Sequence, residues 1–448
     1  MVKASLKKVF IKNFKSLHDC EIDIGKMNVV VGANASGKSN LVEVFRLLKK
    51  IYGSKDSFPF LEWWGYNNVV WQRQEELPII IGLLFDIEEY EVYFETNFTG
   101  AGGKFQIFKE ILDIREYVKF EKEGEWITVK HNENYIDNIL DKPHESDIIT
   151  SDKNILKKEK NQLIRGRKIS ADLEQRLLEK TDTRLLFPRS LEHSKILFWW
   201  SPLPIDSSQK DKKLKKIPVL CPIIDHEGFP LYNIATDVIL STINELLILY
   251  PLNIRSMKNP QPLRREETLK EDGTNIASVF HTIYLKEGKI PEEIYNPLSM
   301  VFPKIDVRPH ITDDGRVMIK FFEEGFELLP PNTSDGIYKI LTLLIAIYLK
   351  PPLLIIDEIE NSLHPSTLEL ILDTIGIGDT QAIITTHSPV VVDMTELNNI
   401  ILVEKEQGES KFKRIKDPEK IREFLIEKGI TFSEGWIYGD LLKAENQA

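Results

Sequence analysis

Gly32-Ala-Asn-Ala-Ser-Gly-Lys-Ser39 fits the pattern Gly-x-x-x-x-Gly-Lys-Ser/Thr, and its surroundings give the match its weight. In front of it, Met27-Asn-Val-Val-Val31 is an apolar run, the mark of a buried strand. Behind it, Leu41, Val44, Phe45 and Leu48 recur at helical spacing within Lys38 to Lys50. A strand that turns through glycines into a helix aims successive backbone N–H groups at one point and adds the positive end of the helix there. That point suits an anion, above all the phosphates of a nucleotide. The Lys38 ammonium is then expected on the β- and γ-phosphates, and the Ser39 hydroxyl on Mg²⁺.

Leu353-Leu-Ile-Ile-Asp-Glu358 is a second apolar strand, and it ends in two carboxylates. Strand ends of parallel sheets are where ligands bind. Asp357 is placed to hold Mg²⁺, and Glu358 to orient and deprotonate an attacking water. A third apolar run, Ala382-Ile-Ile-Thr385, leads into Thr386-His387-Ser-Pro389, which sets His387 at another strand end. From there it is expected to contact the γ-phosphate and the catalytic water. Leu368 to Ile375, between the last two strands, has helical spacing. Strand–helix–strand alternation implies a parallel sheet with helices on its faces.

The rest of the chain divides around these segments. Leu6 to Ile11, Glu21 to Ile24, Ile79 to Phe85 and Tyr90 to Thr96 read as strands, the last two as a pair. From residue 97 to 260 the text changes: Thr99-Gly-Ala-Gly-Gly103 opens hairpin sequence up to Lys130. A charged stretch follows, with helical spacing at Ala171 to Glu179 and an exposed connection at Pro202, Pro204 and Lys210 to Lys216. This region reads as an inserted α+β segment without coiled-coil heptads. The expected division is 1–96 and 261–405 for the two parts of the core, 97–260 for the insertion and 406–448 for a tail.

The combination of Gly32 to Ser39, Asp357-Glu358 and His387 resembles ABC-type ATPases. More narrowly, it is similar to the prokaryotic ATP-binding AAA proteins grouped with RecF, SMC and the OLD family. The opening Ile11-Lys-Asn-Phe-Lys-Ser16 and the run Val31 to Glu43 look like their first strand and phosphate loop. Asp272-Gly-Thr-Asn275 is similar to a short motif that opens a helix in this group. Asn332-Thr-Ser-Asp-Gly336 stands in the place of the ABC signature and departs from the usual form by Asp335 between Ser334 and Gly336. The resemblance implies an α/β fold, an ABC-type P-loop NTPase core with a mixed or parallel sheet. It implies ATP and Mg²⁺ as ligands. Gly32, Ala33, Asn34, Ala35, Ser36, Gly37, Lys38, Ser39 and Asn40 would then lie on the nucleotide. Ser334 and Gly336 would reach the γ-phosphate bound to a second copy, and Glu360, Asn361 and His364 would lie at that subunit interface. A homodimer or dimer-based oligomer follows, and a partner switched by it: DNA, or an effector protein such as a nuclease, in DNA maintenance or anti-phage defence. A glutamine is implied near Mg²⁺, and Gln72 and Gln74 are the candidates. Ser334 also reads, from its residue type alone, as an N-cap, and a capped helix start is itself an anion site. The OLD family's Toprim domain is not matched: Ser388 to Ala448 contains no Asp-x-Asp, and Val403 to Gly408 resembles a final hairpin.

Composition bounds the remaining possibilities. Two cysteines, Cys20 and Cys221, lie outside any CxxC or Cys/His context, which speaks against a disulfide framework or a zinc site and fits the cytoplasm. The N-terminus lacks the features of a signal peptide. The apolar run Ile337 to Leu349 is broken by Lys339 and too short to span a bilayer, so no membrane partner is expected. A net charge of −11 argues against a general nucleic-acid coat. Local basic stretches exist at Lys153 to Lys168 and Lys210 to Lys216, which read first as solvated loops. Trp199 and Trp200 read as packing residues. Two rivals to an ATP-driven switch are a nuclease with its active site in the insertion and an ATP-gated scaffold that does not hydrolyse.

Overall fold

Met27–Gly32 is buried at every position, and so is Leu353–Ile356; strands of this kind need cover on both faces. The computed structural model describes residues 4–123, 126–131, 167–168, 231–249, 251–361, 363–415 and 417–438, and it divides the chain into two compact units. The helical spacing at Ala171 to Glu179, Trp199, Trp200 and the basic stretches fall outside the described residues, apart from Arg167–Lys168, which form a short strand.

One unit comprises residues 16–49 and 242–448. Its central sheet runs in the order Leu247–Leu249, Leu353–Ile356, Gln381–Thr386, Met27–Gly32, Ile400–Glu406, Glu409–Arg414. Every pairing is parallel except the last. That last pair is a two-residue hairpin whose Gln407 (φ 51°) and Gly408 (φ 90°) are both left-handed, the twist such a turn requires. The expected α/β core with a mixed sheet is therefore present, as is the final hairpin. The phosphate-loop strand and the acidic strand are not neighbours: Gln381–Thr386 lies between them, so its C-terminal residues sit between the two chemical elements.

Helices cover this sheet. The helix Asp335–Tyr348 is buried from Ile337 to Ala346, and its apolar residues join one core with Val29, Val31, Leu354, Ile356, Ile384, Leu368 and Leu372. Pro365–Ile377 supplies the last two of these. A smaller antiparallel sheet, Gln261–Pro262, Arg316–Glu323, Ile305–Ile311 and Phe326–Leu328, adds Val307, Val317, Ile319 and Phe321 to the same core. The tail contributes too: Phe432 is buried in it and Trp436 packs against it. Among the described residues no helix is long and apolar enough to cross a membrane.

The other unit comprises residues 1–15 and 50–241. Its described strands form an antiparallel sheet in the order Ala4–Phe14, Ile79–Ile87, Tyr90–Thr99, Gln106–Ile114, Val118–Glu123, Trp126–His131, Arg167–Lys168. The paired strands expected at Ile79 to Phe85 and Tyr90 to Thr96 are there, and the sheet continues through the hairpins beyond them. Its core holds a carboxylate. Glu110 is buried and accepts a hydrogen bond from the Tyr52 hydroxyl (2.7 Å), which lies 2.8 Å from the Thr96 hydroxyl. Removing a donor from a buried charged acceptor costs more than the bond itself contributes. Tyr52→Phe is accordingly expected to destabilise this unit by about 1–3 kcal/mol, read as a lower urea midpoint. An unchanged midpoint would show that the carboxylate is fully served by its other neighbours.

Candidate functional site

The phosphate loop is held from outside by a polar network. Gly37 sits at φ 110°, and a Cβ there would lie 2.1 Å from the Ser410 hydroxyl, so only glycine fits. Gly32 is equally constrained: a Cβ would lie 2.5 Å from the Val403 carbonyl. Ser410 is fully buried on the hairpin strand and donates to the Ser36 carbonyl (2.6 Å). Its hydroxyl is 2.7 Å from that of Ser16, which accepts from the Asn40 amide (2.7 Å). Helix Lys38–Leu48 then begins with no side-chain cap, which leaves its first-turn N–H groups to an anion.

The tip of the loop is exposed at Ala33, Asn34 and Ala35, with Ala35 left-handed at φ 61°. Asn34 shares this exposed crest with Ala33 and Ala35. Its side chain is exposed. The physical reason is the turn itself, which folds the buried residues Ser36 to Lys38 inward and leaves its crest in water.

Two features of the loop fit phosphate. The Ser36 hydroxyl is buried and has no hydrogen-bond partner among the described residues. Lys38 is buried too, and its ammonium donates to the carbonyls of Gly32 (2.7 Å) and Ala33 (3.0 Å), so it lies along the loop. Burial lowers the Lys38 pKa, while Glu360, Asp357 and Glu358 act in the opposite sense.

Ser39 reaches across to the acidic strand, its hydroxyl 3.4 Å from the Asp357 carboxylate. Thr385 organises the far side. Its hydroxyl donates to Asp357 and accepts from the Glu358 N–H (3.0 Å). Burial raises the Asp357 pKa, and the hydrogen bond from Thr385 works against that rise. Ser39 and Asp357 together offer hard oxygen donors of the kind Mg²⁺ takes, and few of them. Among the described residues no cluster of three or more His, Cys, Asp or Glu side chains could cage a metal.

Glu358 itself is left-handed at φ 53°, an unfavourable conformation for a side-chain-bearing residue. The turn it opens is closed by the Asn361 N–H on the Glu358 carbonyl (3.1 Å). Within that turn Glu360 accepts from the Thr386 hydroxyl, the His387 N–H and the His387 ring Nδ1, each at 2.9 Å. With Nδ1 so engaged, Nε2 is the nitrogen that His387 can offer a ligand. Lys339, buried on the helix Asp335–Tyr348, donates to the carbonyls of Glu358 (3.5 Å) and Asn361. Burial pulls its pKa down to about 8 against the opposing influence of Glu360 and Glu358.

Ser334 caps that same helix: its hydroxyl accepts from the Ile337 N–H at 3.4 Å. Lys258 fixes the next residue, pairing with Asp335 (2.8 Å) and donating to the Thr333 carbonyl (2.7 Å). Ser334 and Gly336 line an open groove of about 400 Å³ with His364, Ser366 and Thr367. His364 caps the helix Pro365–Ile377, so two helix starts face this groove. No hydrogen bond joins Ser334 or Gly336 to the phosphate loop of the same chain among the described residues. Gln72 and Gln74 belong to the other unit, on the turn at Trp71–Arg73, where the Gln74 amide donates to Gln72 (3.3 Å). Asp272-Gly-Thr-Asn275 folds on itself and opens the helix Ile276–Glu287.

The structure thus joins Ser39, Asp357 and Glu358 through direct contacts or the shared Thr385 hydroxyl, keeps Lys38 along the phosphate loop beside Ser39, and ties His387 to the same acidic turn. It adds Thr385, Thr386, Lys339, Ser16 and Ser410 as supports that sequence reasoning did not assign to the site, and gives Glu360, expected only at a subunit interface, bonds to Thr386 and His387 within the chain. The pair Thr385-Thr386 ending an apolar strand was the one available signal.

Residues 27–393 match the family described as "AAA domain, putative AbiEii toxin, Type IV TA system". Among solved structures, an Smc head bound to the C-winged helix domain of ScpA is similar at 14% identity, with TM-score 0.47, over 93% of this chain and 99% of that one. An Smc head with an extended coiled coil, bound to the C-terminal domain of ScpA derived from Pyrococcus furiosus, gives 15% identity and TM-score 0.44 over 95% and 99%. The SMC head domain from Thermotoga maritima gives 14% and 0.41 over 92% and 99%. No curated protein matches. The matched residues contain the phosphate loop, the acidic strand and the strand between them, and the chain belongs to this family of AAA-domain proteins.

Proposed function

We propose that the chain is a Mg²⁺-dependent ATPase that dimerises head to tail across bound ATP and thereby switches a partner, either DNA or an effector protein such as a nuclease. The observation that supports the hydrolytic part is the shared Thr385 hydroxyl, which donates to the Asp357 carboxylate and accepts from the Glu358 N–H beside Ser39. Ser39 and Asp357 would hold Mg²⁺, whose charge offsets that of the phosphates. Lys38 would exchange its loop carbonyls for β- and γ-phosphate oxygens, and the Ser36 hydroxyl and first-turn N–H groups would complete the cradle.

Glu358 would take a proton from the attacking water as the water oxygen bonds to the γ-phosphorus. The bond from that phosphorus to the bridging oxygen breaks, and ADP and phosphate leave. His387, oriented by Glu360, would present Nε2 to the attacking water and the γ-phosphate. The sandwich is supported by the capped helix start at Ser334 and Gly336, which faces an open groove and makes no bond to its own phosphate loop among the described residues. Such an end can serve the γ-phosphate held by a second copy.

Lys38→Ala removes a charge-assisted contact and should weaken MgATP binding by about 2 kcal/mol, measured by calorimetry. Unchanged affinity would sink the phosphate-loop assignment. Glu358→Gln keeps size but removes the base, so hydrolysis should fall by about 10²-fold or more while ATP still binds. That variant should accumulate as an ATP-dependent dimer in light scattering, and adding Ser334→Arg should dissolve it. Normal turnover in Glu358→Gln would exclude the catalytic role, and a dimer indifferent to Ser334→Arg would exclude the signature's action in trans.

A further inference from the structure

The helix Asp335–Tyr348 is buried along most of its length, and every buried side chain from Ile337 to Ala346 is apolar or neutral except Lys339. An ammonium taken from water into a protein core is costly unless it is matched. Among the described residues no carboxylate contacts the Lys339 ammonium. Its Nζ donates to two main-chain carbonyls, those of Glu358 and Asn361. A methionine would fill the same space without that cost, so burial alone gives no reason for a lysine here.

The two carbonyls are not arbitrary. They are the first and last of the turn that carries the proposed base, a turn closed by the Asn361 N–H on the Glu358 carbonyl. Its first residue, Glu358, is left-handed, and such a conformation persists only where the surroundings hold it. Thr385 holds the N–H side of Glu358 and Lys339 holds the carbonyl side. A narrow pocket lined by Asp335, Lys339, Asp357, Glu358 and Asn361 connects the start of the helix to the acidic pair.

We propose that Lys339 is a positioning residue that couples the two ATP sites, by fastening the helix that reads the facing subunit's nucleotide to the turn that aims its own subunit's base. This inference rests on the ATP-sandwich reading above. Ser334 and Gly336 at the head of the helix meet the γ-phosphate of one site, and the displacement is handed through Lys339 to Glu358 of the other. Occupancy of one site then sets hydrolytic competence at its neighbour, and hydrolysis depends cooperatively on ATP.

The test is steady-state ATP hydrolysis by the full chain against ATP concentration, with binding of a non-hydrolysable ATP analogue measured separately. Lys339→Met should fold, as a thermal melt will show. It should lower kcat by about tenfold to a hundredfold through misplacement of the base, leave analogue affinity unchanged, and turn a sigmoidal ATP dependence hyperbolic. Lys339→Arg, which can still donate to both carbonyls, should recover part of kcat and of the sigmoidal response. Lys339→Gln provides a second neutral variant should the methionine form fail to fold. Wild-type kcat in a folded neutral variant would overturn the proposal. So would a hyperbolic response in the wild type, or a kcat loss matched by weaker analogue binding. Glu358→Gln assayed alongside separates the layers: if it still turns over, the hydrolytic reading falls. If it is inactive while Lys339→Met behaves as wild type, only the coupling falls.

Discussion

One hydroxyl group sets the geometry of the candidate site. Thr385 ends the strand that separates the phosphate-loop strand from the acidic strand, and its side chain is shared between the Asp357 carboxylate and the Glu358 N–H. Two adjacent carboxylates at a strand end would otherwise be interchangeable. The shared bond makes them different: Asp357 is turned inward toward Ser39, and Glu358 begins a left-handed turn that leads away. Because strand register places Thr385 opposite Val30 and Ile384 opposite Ile356, the arrangement follows from sheet pairing and needs no flexible loop.

The next residue on the same strand end repeats the device. Thr386 donates to Glu360, which in turn holds both the backbone and the ring of His387. Successive strand residues point to opposite faces, so Thr385 and Thr386 can fasten different members of the acidic turn from one strand end. A site built on consecutive strand positions is held by the sheet's own hydrogen bonds, and rigid elements of this kind keep catalytic geometry better than loops do.

The chemistry is legible in the sequence, and its support is hidden there. Gly32 to Ser39, Asp357-Glu358 and the strand before His387 are local patterns, each confined to a few residues whose types and spacing can be read directly. Even within such a pattern the residues differ: nothing in the text of the loop tells that Asn34 stays on its exposed crest while Ser36 turns inward. The order of the strands, with the acidic strand one place removed from the phosphate loop, is a tertiary fact that no local pattern encodes. The same holds for Ser410, which props the Ser36 carbonyl from 374 positions away, and for Ser16, which links Ser410 to Asn40. A serine in a strand looks like any other until the fold brings it to the loop. Lys339 lies between these cases. It is visible as a charge interrupting an apolar helix, but whether such a lysine reaches solvent or a buried acceptor depends on what the helix packs against.

The division of the chain carries a further consequence. All residues of the proposed catalytic set belong to residues 16–49 and 242–448, which share a continuous core. The chain leaves that unit after Lys49 and returns at Thr242, so the phosphate-loop helix and the strand Leu247–Leu249, which pairs with the acidic strand, flank the long excursion in sequence. Lys49 at the end of that helix donates to the Leu246 carbonyl (2.8 Å), which closes the excursion at its base. This bond lies within the unit, between residues on either side of the excursion. Chain entropy permits this, because the cost of closing a loop rises only with the logarithm of its length. The residues of the candidate site thus draw their hydrogen bonds and their core from residues 16–49 and 242–448.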